Sequence, residues 1–188
     1  MSSPEIRFSL PEGMTDNTIY SFASETRDFA MQEELMVGHD RLPDGVRDVD
    51  SLVKNRLGEM RAVAPGEMKV TEDAPVRLGS LPARRLDLLA SAEGHSIRTL
   101  DLFAVLPDRT YMQLSYHVRL RDGQAADRLD HIASSLRAAD QAAEAAAPGF
   151  ARRQAGAFTL DVPLNLRPPS DYIFLFPGGQ GDRGVKRR

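Results

Sequence analysis

The run Ile97-Arg98-Thr99-Leu100-Asp101-Leu102-Phe103-Ala104-Val105-Leu106, the reversal Pro107-Asp108, and the return Tyr111-Met112-Gln113-Leu114-Ser115-Tyr116-His117-Val118 decide the fold. Both arms are rich in aliphatic and aromatic side chains and are joined by turn formers, the pattern of two antiparallel strands. Ala83 to Ala90 reads as the strand before them, with Glu93-Gly94 as its reversal. Met68 to Thr71 with Val76 to Leu78 supplies a fourth run, closed by Gly79. Together these segments predict an antiparallel meander.

Further upstream the chain alternates. Ile6, Phe8 and Leu10 are separated by Arg7 and Ser9, the period of a half-buried strand that stops at Pro11. A second strand is expected over Thr18 to Ser24, with Tyr20 and Phe22 on one face and Ile19, Ser21 and Ala23 on the other. A third spans about Met31 to Asp40, where Leu35 and Val37 oppose Met36 and Gly38. These last two pair as a hairpin. Asp48 is placed to cap a helix whose Val49, Leu52, Val53, Leu57, Met60 and Val63 share one stripe, ended by Pro65-Gly66. After the meander, Asp122 opens a second helix with Ala126, Leu129, Ile132, Ala133 and Leu136 on its apolar side, extended by alanine-rich sequence toward Pro148-Gly149.

Strands, helix, meander and helix in that order predict an α+β fold: an antiparallel β-sheet with two helices packed on one face. The other sheet face is then uncovered, and alternation puts Ile19 and Met36 on it. An exposed apolar face marks a binding surface or a dimer interface, unless a loop or the C-terminal segment lies over it.

Composition narrows the function classes. The chain has 188 residues, a formal charge of −3, and no cysteine, which excludes a disulfide framework, a thiolate nucleophile and sulfur-ligated metal. The N-terminal residues lack the basic start and apolar run of a signal peptide, and no stretch approaches the roughly 18 apolar residues of a membrane span. A cytoplasmic protein without direct membrane insertion is the expectation. Residues 150–188 hold seven basic and three acidic side chains, so the tail carries +4 and residues 1–149 carry −7. An acidic body argues against nucleic acid as a partner.

Catalytic patterns are missing from the sequence. His39, His95, His117 and His131 show no metal-ligand spacing, and the expectation is no metal and no cofactor. Gly179-Gln180-Gly181-Asp182-Arg183-Gly184 matches a dinucleotide glycine pattern but has only four residues after it, so it reads as a glycine-rich tail. Asp87 and Asp101 interrupt neighbouring apolar strands and raise the prospect of a carboxylate pair. With Arg84, Arg85 and Arg98 nearby, cross-strand salt bridges on a wet face are the expected explanation. No nucleophile elbow or phosphate loop is present.

The segments Phe8-Ser9-Leu10-Pro11-Glu12-Gly13, Asp16 to Phe22, Leu35 to Gly45, Pro75 to Leu86 and Ile132 to Arg137 share their order and spacing with a known group. Over roughly residues 5 to 137 the chain resembles the Eag-type chaperones of the type VI secretion system, within the DcrB-like family. The resemblance implies a Mog/PsbP-like fold, no catalytic residues, and a homodimer with a concave groove. It further implies a partner: the hydrophobic N-terminal transmembrane segment of a secreted effector, shielded before export. Carried over by position, the groove falls on Ile19, Ser21, Met36 and Gly38, with Ser21 departing from the aliphatic residue usual there. A non-enzymatic regulatory module of the same fold, engaging a soluble protein, is the alternative.

The chain therefore divides into a DcrB-like domain over 1–149 and an extension over 150–188. In the extension, Ala157 to Pro163 and Ser170 to Phe176 echo Arg7 to Pro11 and Asp16 to Phe22, like the first strands of a second copy. Two strands are not independently stable. Phe158, Leu160, Tyr172, Ile173, Phe174 and Phe176 are thus expected to dock on the body, on a dimer mate, or over the groove.

Overall fold

The computed structural model describes residues 19–25, 33–64, 66–78, 81–92, 95–138, 145–156 and 158–168. The expected strand Ile6 to Leu10 lies outside them. Among the described residues, β1 (Ile19–Ser24) and β2 (Glu34–Arg41) lead into α1 (Val49–Val63). The meander follows as β3 (Glu67–Leu78), β4 (Leu81–Ala92), β5 (His95–Val105) and β6 (Thr110–Val118). Then come α2 (Ala125–Ser134), β7 (Arg137–Ala138), β8 (Phe150–Ala155), β9 (Phe158–Pro163) and β10 (Leu166–Arg167). Seven strands form one antiparallel sheet in the order β10-β1-β2-β6-β5-β4-β3, and β7-β9-β8 form a second, smaller one. The architecture is α+β.

Local chemistry sets the element boundaries. Asp48 caps α1 as expected: its carboxylate accepts the Ser51 N–H at 2.8 Å, and Ser51 Oγ accepts the Asp48 N–H at 3.2 Å. Strand β3 tolerates Pro75 because it is an edge strand, and it carries a register shift between Val70 and Glu72. Helix α2 stops at Ser134 and does not run on toward Pro148. Alanine propensity loses there to a tertiary bond, in which Ser135 Oγ accepts the Asp161 N–H at 2.8 Å while donating to the Ile132 carbonyl at 2.7 Å.

The expectation of two helices on one face is corrected. Helix α1 packs with Leu86, Leu88, Phe103 and Tyr111, whereas α2 packs with Leu100, Leu102, Met112, Leu114 and Tyr116. These two sets alternate along the same strands, so the helices lie on opposite faces of the sheet. The physical reason is visible in β5, where Leu102 to Val105 breaks alternation. Such a run buries both faces and needs a cover on each.

The β8–β9 hairpin and β10 belong to the same body. Ala155, Leu160, Val162 and Leu166 are buried in the α2-side core, and β10 pairs with β1 through Ala23↔Arg167 and Ser24↔Leu166. Asp161, buried at this junction, accepts from Arg152 Nε at 2.6 Å and lies 3.3 Å from His131 Nε2. The Ala147 N–H donates to the same carboxylate at 3.4 Å. A buried carboxylate with this many partners ties α2 to the second sheet.

Candidate functional site

Helix α1 covers the β4–β5 half of its sheet face. It also reaches Tyr111 of β6, and the core cluster beneath it includes no described residue of β1 or β2. Register builds the floor in rows across the strands. Ile19, Gly38, Gln113 and Phe103 form one row, and Ser21, Met36, Ser115, Asp101 and Leu86 the next. Ala23, Glu34, His117, Thr99 and Leu88 form the third. All four residues expected for the groove therefore sit together on one face, as two directly paired couples on β1 and β2.

Exposure and space agree with an open surface. Ile19 is 58% exposed, while Ser21, Met36 and Gly38 are partly exposed. A Cβ added at Gly38 would meet no atom within 4 Å. Val63, at the C-terminal end of α1, is also exposed. The floor is not uniformly apolar. Ser21 Oγ donates to Glu34 Oε1 at 2.5 Å, and His117 Nδ1 lies 3.7 Å from Glu34 Oε2.

Toward α1 the floor becomes buried. Asp101 is 2% exposed, and its carboxylate accepts from the Ser115 hydroxyl and, at 3.4 Å, from Gln113 Nε2. Burial pushes the Asp101 carboxyl above the ordinary carboxylate range, and the hydrogen bonds from Ser115 and Gln113 offset that only in part. Its expected role as a wet salt-bridge partner is corrected. Register puts Asp101 opposite Leu86 and puts Asp87 opposite Leu100, so the two aspartates occupy opposite faces and form no pair. Asp87 does hold the expected cross-strand bridge, to Arg98 at 2.5 Å, but on a buried rather than a wet face, and that hydrogen bond raises the Arg98 guanidinium above its ordinary value.

Of the docking residues expected in the C-terminal segment, Leu160 is buried in the α2-side core and Phe158 packs against it. Both therefore dock on the body, on the face away from Ile19 and Met36. Tyr172, Ile173, Phe174 and Phe176 lie outside the described residues, as does the Gly179 to Gly184 segment. A separate cleft of about 790 Å³ opens between the β6–α2 loop and β8–β9, lined by Arg119, Arg121 and Arg128 together with Glu33 and Asp122. Its cations are partly answered within it: Arg128 pairs with Asp122, and Arg119 lies 3.6 Å from Glu33.

Glu34, Gln113, Ser115 and His117 were not among the residues expected at the groove. Their signal was alternation: in β6 Gln113, Ser115 and His117 fall between Met112, Leu114, Tyr116 and Val118, and in β2 Glu34 falls in step with Met36 and Gly38. Among the described residues, no group of three or more His, Cys, Asp or Glu side chains is placed to hold a metal ion. No described helix is long and apolar enough to cross a membrane.

No protein-family model matches the chain, and no curated protein matches it. Among solved structures, PA94 from Pseudomonas aeruginosa, a protein of unknown function named as a candidate regulator, is similar with a TM-score of 0.52 and 16% identity. The match covers 64% of this chain and 81% of that one. At that identity the likeness is one of fold, and it places this α+β arrangement beside a known crystal structure.

Proposed function

We propose that the chain is a non-enzymatic adaptor chaperone, cytoplasmic and homodimeric, of the Mog/PsbP-like fold that its resemblance to Eag-type proteins implies. Its open sheet face shields the hydrophobic N-terminal segment of a type VI secretion effector before export. The observation that supports this is the β1–β2 floor, where Ile19 and Met36 are left accessible and the space above Gly38 is empty. An apolar helix aggregates in water unless an apolar surface covers it, and this floor supplies one. Ser21 adds a hydroxyl of the kind found between membrane helices.

The polar side chains Gln113, Ser115 and His117 beside that floor favour a second reading, a regulatory module that binds a soluble protein. One experiment separates the two. The protein of the adjacent gene is co-expressed with this chain, with and without its N-terminal apolar segment, and captured. Capture that requires the segment, and that is lost on Ile19→Asp with Met36→Asp in a folded variant, supports the chaperone. Capture without the segment supports the regulatory module.

A further inference from the structure

Glu34 sits on the floor of the open face with its side chain 27% exposed, two residues from Met36 and four from Gly38. Among the described residues the ionisable side chain within 4 Å of it is His117, at 3.7 Å, and its hydrogen-bond donor is the neutral Ser21 hydroxyl. Water solvates Glu34 while the face is open. An occupant that covers the face removes that water, and an uncompensated carboxylate then opposes binding. An occupant that brings a cation to the same spot turns the penalty into a charge-assisted contact.

We infer that Glu34 sets the polarity of the bound segment: it receives a lysine or arginine that flanks the partner's apolar stretch, so the stretch docks in one orientation. This rests on the groove proposed above. The basic flank lies over Glu34, and the apolar body runs along β2 over Met36, Gly38 and Ile19. From Glu34 to Gly38 the strand spans about 13 Å, which is about nine residues of helix. A cation over Glu34 therefore sits at the border of an apolar stretch whose first turns fill the Gly38 space. The long aliphatic stem of lysine or arginine suits that border, since it packs on apolar surface while the charged head reaches the carboxylate.

The test uses the full chain and three synthetic alanine–leucine helices of about 20 residues, each with a fluorophore at one end. Their other ends carry lysines, glutamates or neutral amides, and binding is read by anisotropy at low and high salt. The expected result is a preference for the lysine helix over the neutral one of about tenfold, smaller at high salt. Glu34→Gln keeps the Ser21 contact, binds the neutral helix more tightly than the parent because no carboxylate is desolvated, and loses the lysine preference, whereas Glu34→Lys shifts the preference to the glutamate helix. Equal binding of all three helices, or a lysine preference that survives Glu34→Gln, overturns the inference while leaving the groove in place. Binding of none overturns the groove and the inference together.

Discussion

Asp101 carries the clearest residue-scale consequence. Burial raises its folded pKa above the ordinary carboxylate range, so the folded state favours the proton. Asp101's own contribution to stability is therefore fully present below its unfolded pKa and is lost as pH rises through its folded one. Asp101→Asn keeps an acceptor for Ser115 and Gln113 and has no charge to bury. The variant is expected to be more stable than the parent in denaturant titrations at neutral pH, with the gap closing in acid. A gap that is constant across pH would show that Asp101 does not titrate in this way. Gly38 offers the opposite kind of change. A Cβ at Gly38 meets nothing within 4 Å, so for Gly38→Trp the melting temperature is expected to stay near that of the parent while capture of an apolar segment is blocked. Alternation alone placed Ile19, Ser21, Met36 and Gly38 on one face. The burial of Asp101 was illegible, because depth on a face depends on where α1 lies.

Among the elements, α1 was the most legible, since both its cap and its stripe are local. It also contains a weak point. Gly58 is an exposed interior helix residue, and a Cβ there meets nothing within 4 Å. Gly58→Ala is expected to add about 1 kcal/mol, a rise of about 2–4 °C in a thermal melt. The end of α2 was illegible for the converse reason, because the Ser135–Asp161 bond that stops it joins residues 26 apart in sequence. Strand β3 shows how a long edge stays single. Its exposed charges, its register shift and Pro75 together make a poor template for another strand.

For the whole molecule, the decisive feature is that residues 150–168 complete the same core as β1 to β6. Leu160 is fully buried, and Leu160→Ala is expected to cost about 2–5 kcal/mol. Unfolding should be a single transition that coincides for a probe in the meander and one in the β8–β9 hairpin; two separated transitions would show a detachable extension. The meander was readable from its own turns. The division of helices between faces was partly readable in the unbroken Leu102 to Leu106 run, which alternation cannot explain. What no local pattern held was the partner of β1. Arg167 reaches Ala23 across almost the whole described chain, and Asn165 donates to Glu33, 132 positions away, at 2.9 Å.

That last pairing has a consequence for the order of events during synthesis. Strands β3 to β6 and both helices can assemble from neighbouring sequence as they leave the ribosome, whereas β1 waits for residues 166–167 before its outer edge is paired near Ser24. The closing of this long loop is therefore expected to be the slowest step of folding. Until it happens, the floor that stays open in the folded protein is bordered by an unguarded strand edge.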